Sequence, residues 1–123
     1  MVASETFKAY DVVIVPFPYA DRLAEKRRPA LVVSSGALGR FGLLWVAMIT
    51  SAKNEPWACD VPIPNLELAG LPAPSVVRPA KIACIDPVRV VGRAGRLAPA
   101  VARDVADQLL NFFPATRKAH ASR

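Results

Sequence analysis

Three evenly spaced glycines between two β-branched runs constrain this chain more than any other feature. In "ALVVSSGALGRFGLLWVAMITS", Gly36 and Gly42 flank Gly39 symmetrically, with residues 30–35 on one side and 43–51 on the other. Short apolar runs on either side of a glycine-bearing turn read as a β-hairpin. Centred on Gly39, that hairpin pairs Val32 with Val46, Ala30 with Met48 and Arg28 with Thr50. Directly opposed residues stand about 5 Å apart with their side chains on one face. A guanidinium and a hydroxyl far apart in sequence would then share one end of a sheet. A slip of a single residue would turn every side chain to the other face and separate them.

The rest of the chain fits a small β structure. "DVVIVPF" (residues 11–17) is another apolar strand candidate, and "CDVPIP", "SVV" and "KIACID" follow in a stretch rich in proline. Proline gives no N–H to a ladder, so that stretch predicts short edge strands and loops, with "LAGLPAPS" as a turn. From Pro99 the period changes: Val101, Val105, Leu109 and Phe112 or Phe113 recur at helical spacing, Pro99 suits a first helical position and Pro114 ends the run. Apolar strands on both faces suit the wall of a small barrel. The expected fold is mainly β: an SH3-like antiparallel barrel of five or six strands with a C-terminal amphipathic helix. Residues 1–9 form an N-terminal arm, 10–113 the domain and 114–123 a basic tail. Trp45, in the middle of a strand, is expected in the core.

Sixteen basic residues against ten acidic ones give a formal charge of +6 on 123 residues. An excess of that size favours an anionic partner, nucleic acid before a membrane surface. The N-terminus lacks the apolar run of a signal peptide, and the longest uncharged run, 41–52, is too short to span a bilayer. Cys59 and Cys84 form no CxxC, which argues against a disulfide framework or a zinc knuckle and suits the reducing cytoplasm.

The densest cationic cluster, "EKRRP", stands at the mouth of the second strand. Arginine is a permanent cation whose fork can hold two phosphate oxygens, and a threonine hydroxyl both donates and accepts. Cutting DNA calls for a metal-bound water or a strong nucleophile. No His/Asp/Glu cluster with ligand spacing is present, and the one histidine, His120, lies in the tail. RNA carries its own nucleophile in the 2′-OH, so alignment and charge stabilisation suffice.

The segments "DVVIVPFPYAD…KRRPALVVSS", "AMITSAK", "AGLPAPSVVRPAKIACID…VGRAGRL" and the final helix resemble the MazF/PemK family of toxins from bacterial toxin–antitoxin pairs. The resemblance runs from about Tyr10 to Phe113. It implies a metal-independent, cofactor-free endoribonuclease on an SH3-like barrel, a homodimer silenced by a cognate antitoxin. It further implies that Arg28 and Thr50 are catalytic and that single-stranded RNA, mRNA above all, is cut to 2′,3′-cyclic phosphate and 5′-OH ends. One departure stands out: Ala83 and Cys84 precede "ID", where many members carry an arginine or another polar residue.

Lys26, Arg27, Ser51, Lys53, Trp57, Arg78 and Lys81 are the expected RNA contacts around that pair. Several have an ordinary alternative. Arg28, Lys26 and Arg27 could be solvated charges at a strand entrance, Thr50 plain β-propensity, and Trp57 a core-edge residue. Two rival functions use the same fold: a non-enzymatic poison resembling the gyrase-binding CcdB proteins, and a basic barrel that binds nucleic acid without chemistry.

Overall fold

The computed structural model describes residues 6–17 and 26–115. Most of the expected arm and nearly all of the basic tail, His120 included, lie outside them. The elements run β1 (Asp11–Phe17), β2 (Lys26–Val32), β3 (Leu44–Ser51), β4 (Val61–Pro62), α1 (Leu66–Ala69), β5 (Ser75–Ile85), β6 (Gly92–Arg96) and α2 (Pro99–Asn111). The six strands form one curled antiparallel sheet in the order β4-β5-β3-β2-β1-β6. This half-barrel with a C-terminal helix is the architecture the apolar runs predicted.

The hairpin has the predicted register, with Ala30 opposite Met48, Leu31 opposite Ala47 and Val32 opposite Val46. The strand starts earlier than its apolar run, at Lys26, because β1 pairs with it as far as Phe17 opposite Lys26. The cationic cluster is therefore part of a strand and not of a turn. Bridging to β3 stops at Ala30, directly after Pro29, which has no N–H to contribute.

The late segments "SVV" and "KIACID" merge into the single strand β5. Its register on β3 jumps from Ala47 opposite Ile82 to Met48 opposite Arg78, so Pro79, Ala80 and Lys81 have no partner there. A proline inside a paired strand is accommodated by such a bulge.

Alternation along these strands loads both faces. One core holds Val12, Leu31, Ala47, Ile49 and Val77 beneath Ala102 and Val105 of α2 and Ala69 of α1. The other holds Val13, Val15, Ala30, Val32, Val46 and Met48 with Phe7, Ile85 and Val90. Pro99 opens α2 as expected, while Phe112 and Phe113 leave its apolar stripe and stay exposed. Trp45 is likewise not core: it is 42% exposed, pointing from β3 toward the end of α2.

The short helix α1 corrects the expectation of only edge strands and loops in the proline-rich stretch, and it takes in Leu68 and Ala69 of the predicted turn. Asn65 caps it, accepting from the Leu68 N–H, and Gly70 closes it in the left-handed region at φ 73°. It lies so close to β6 that a Cβ on Gly95 would collide with the Leu68 carbonyl oxygen. Backbone cannot yield as a flexible side chain can, so Gly95→Ala should destabilise the fold by about 3 kcal/mol, the upper end of overpacking. Chemical denaturation checks this: the midpoint should fall with the slope unchanged.

Candidate functional site

Ala30 and Met48 share the second core, and alternate residues of a strand share a face. Arg28 lies two residues before Ala30 and Thr50 two after Met48, so both emerge on that face at the same end of the sheet. Arg28 opposes Val15, a fully buried side chain, across β1. Its stem is half-buried and its Nε is shielded from solvent. The guanidinium thus rides on a strand bonded along its length, a stiffer mount than a loop. Lys26 shares this face. Arg27 alternates to the other, opposite Pro16, a consequence of the early strand start that separates it from Arg28.

Thr50 pairs with Val76 on β5 and is half-buried. Its Oγ1 accepts a hydrogen bond from Asn54 Nδ2 at 2.6 Å. Asn54 was not among the expected site residues. Its only sequence signal is its place in "SAKNEP", a polar turn leaving a strand. Within that turn the Asn54 N–H donates to the Ser51 carbonyl at 3.1 Å, and the Lys53 N–H to Ser51 Oγ at 3.1 Å. Ser51, Lys53 and Trp57 are all exposed around the turn.

Arg78 has a different place from the one expected of an RNA contact. It opposes Met48, hence shares the face of Thr50, yet only 8% of it is exposed. Its Nε donates to Asp60 Oδ1 at 3.0 Å and its Nη2 to Asp60 Oδ2 at 2.9 Å and to the Glu55 carbonyl at 3.0 Å. The guanidinium also stacks over the Trp57 ring, 4.2 Å from its centroid. Asp60 Oδ2 accepts the Trp57 N–H in turn, at 2.9 Å. A bidentate, buried arginine of this kind fixes the loop 51–60 against β5. Trp57 is left 44% exposed with the cation behind it.

Lys81 is exposed within the β5 bulge. Ala83, the departure from the family pattern, opposes Val46 and packs on the second core at the other end of β5. Arg93 holds the arm: its Nε donates to Asp11 Oδ2 at 3.0 Å and its Nη2 to the Thr6 carbonyl at 2.7 Å. Among the described residues, no three His, Cys, Asp or Glu side chains gather as a metal site, and no helix is long and apolar enough to cross a membrane.

A curled antiparallel sheet with a cationic rim and a helix across one core defines a small SH3-like β-barrel protein. The sequence from residue 8 to 113 matches the family model described as PemK-like, MazF-like toxin of type II toxin–antitoxin systems, and the chain belongs to that family. Among solved structures it is similar to MazF from Deinococcus radiodurans, with a TM-score of 0.67 at 20% identity over 89% of this chain and 97% of that one. The toxin MazF-mt6 of Mycobacterium tuberculosis superposes with a TM-score of 0.63 at 22% identity, covering 82% of this chain and 93% of that one. A mycobacterial endoribonuclease in complex with its cognate antitoxin gives 0.66 at 16% identity over 85% and 92% of the two chains. No curated protein matches the sequence.

The Arg78 guanidinium bonded to Asp60 holds that carboxyl below the ordinary carboxylate range. A group depressed in the folded state contributes its full stabilisation above its unfolded pKa, near 4, and loses it as pH falls through the lower folded value. In a Trp45→Phe background, where Trp57 is the remaining indole, acidification below about pH 4 should change Trp57 fluorescence as the loop loosens. Asp60→Asn should show the loosened signal at neutral pH and no such acid transition.

Proposed function

We propose that this chain is the toxin of a toxin–antitoxin pair and acts as a metal-independent endoribonuclease on single-stranded RNA, mRNA above all. The observation that carries this reading is the common face and common end of Arg28 and Thr50, fixed by the β2–β3 register. The 2′-oxygen of one nucleotide attacks the adjacent phosphorus; the O2′–P bond forms as the P–O5′ bond breaks. The 2′ proton is lost to solvent and O5′ gains one from it. The products are a 2′,3′-cyclic phosphate and a 5′-OH. Arg28, always charged, neutralises the pentavalent phosphorane, and Thr50 donates to one of its oxygens or relays a proton. The nucleophile comes from the RNA itself, so no metal-bound water is needed. A duplex hides its bases in a groove that side chains cannot read, which makes single strands the natural target.

Lys26, Lys53 and Lys81 supply sequence-independent attraction to the RNA backbone, with Arg27 adding charge from the other face. Trp57 offers an indole face for base stacking, and Arg78 stiffens that platform from behind. Ser51 borders the turn that carries Asn54. The cognate antitoxin and a second copy of the chain are the protein partners, and the cytoplasm, where mRNA is available, is the compartment. Support for the homodimer comes from the apolar face of Trp45, Ile82, Leu110, Phe112 and Phe113, with Leu110 68% and Phe113 63% exposed. Contiguous exposed side chains of this size mark a protein-binding surface.

Purified protein should cut single-stranded RNA in excess EDTA, leaving ends that mass spectrometry identifies as cyclic phosphate and 5′-OH. Arg28→Ala and Thr50→Ala should each lower the rate roughly 100-fold with unchanged circular dichroism. Intact RNA together with inhibited gyrase would replace this reading with the non-enzymatic poison. In sedimentation, a Trp45→Asp, Phe113→Asp double variant should run as a monomer where the parent runs as a dimer.

A further inference from the structure

The hydroxyl assigned to the scissile phosphate is itself held in place. Asn54 Nδ2 aims at Thr50 Oγ1 from 2.6 Å, and Asn54 is no free side chain on a loose loop. Its own N–H is bonded to the Ser51 carbonyl, and the carbonyl of the following residue, Glu55, accepts from the clamped Arg78 guanidinium. Thr50 is paired with Val76 of β5 and Glu55 is bonded to Arg78 of β5, so both sides of the Asn54–Thr50 contact are tied to that strand. A threonine hydroxyl has one proton and two lone pairs. A carboxamide N–H directed at the oxygen occupies one lone pair and turns the O–H away from Asn54. It also polarises the hydroxyl, making it a better donor and a poorer proton acceptor.

We propose that Asn54 is a positioning residue that acts through Thr50: it fixes the hydroxyl's rotamer and commits it to donating to a phosphate oxygen, not to receiving the 2′ proton. This rests on the endoribonuclease reading, and it selects between the two roles that reading leaves to Thr50. Arg78 and Asp60 then serve the same end indirectly, by holding the loop that carries Asn54.

Single-turnover cleavage of a single-stranded RNA, with ¹⁵N–¹H spectra of the Asn54 side-chain amide, tests the proposal. Asn54→Ala should slow the saturated rate roughly tenfold while leaving RNA affinity nearly unchanged. Asn54→Asp should be slower still, because a carboxylate takes the Thr50 proton for itself. In a Thr50→Ala background, Asn54→Ala should cost nothing further, and Thr50→Ala alone should shift the Asn54 amide resonances. An equal loss from Asn54→Ala with and without Thr50, a fully active Asn54→Asp, or unmoved amide resonances would each overturn the positioning role while sparing the ribonuclease reading. A parent protein that cuts no RNA would remove both, whatever the spectra show.

Discussion

The antiparallel register between β2 and β3 is the constraint on which the site depends. Ala30 opposite Met48 is its last bridged pair, and the two residues proposed as catalytic, Arg28 and Thr50, lie one alternation beyond it on each strand. That pair and the next one inward, Leu31 opposite Ala47, are buried apolar side chains, so a slip would drive Arg28 or its fellow charges into one of the two cores at a cost of several kcal/mol. The same burial that stabilises the sheet therefore aims the cation. The site's geometry is a by-product of packing, and no bond between Arg28 and Thr50 has to create it.

A second device finishes what the register begins. β3 ends at Ser51, and a free chain from there to β4 would let Asn54 and Trp57 wander. Arg78 prevents this by reaching from β5 to Asp60, to the Glu55 carbonyl and to the Trp57 ring at once. Its position is set by the β5 bulge: the three residues left out of register at Pro79, Ala80 and Lys81 bring Arg78 opposite Met48 and on the side of Thr50. A buried pair of this kind contributes less to net stability than to specifying one loop geometry. Of the two arginines on this face, Arg78 holds the loop, and Arg28 is the one proposed for the phosphate.

That distinction marks the limit of what could be read from residues alone. The hairpin register followed from the glycine symmetry and the β-branched runs, because both are local signals: one centres the turn and the other marks the strands. The final helix followed from Pro99 and the spacing of Val101, Val105 and Leu109. The role of Arg78 was not legible, since its partner Asp60 sits across a loop and nothing in "VVRPAK" distinguishes a clamp from a surface contact. Asn54 was missed for the same reason: its hydrogen bond to Thr50 depends on how the turn closes. Trp45 misled because a tryptophan amid apolar neighbours reads as core, while in the sheet it alternates onto a face that α2 covers only in part. The merger of two short segments into β5 was hidden by Pro79, which ordinarily ends a strand and here is absorbed by a bulge.

Membership of the PemK-like, MazF-like toxin family and the fold it shares with MazF structures agree with this architecture. The central claim is narrower: one phosphate is gripped by a strand-mounted guanidinium and by a hydroxyl from the neighbouring strand. A structure of the protein bound to an RNA oligonucleotide carrying a 2′-deoxy substitution at the cleavage step tests it most directly. The account predicts that Arg28 and Thr50 Oγ1 both lie within about 3 Å of oxygens on the same phosphate. Finding the two groups on different phosphates, or the RNA seated elsewhere on the molecule, would contradict it.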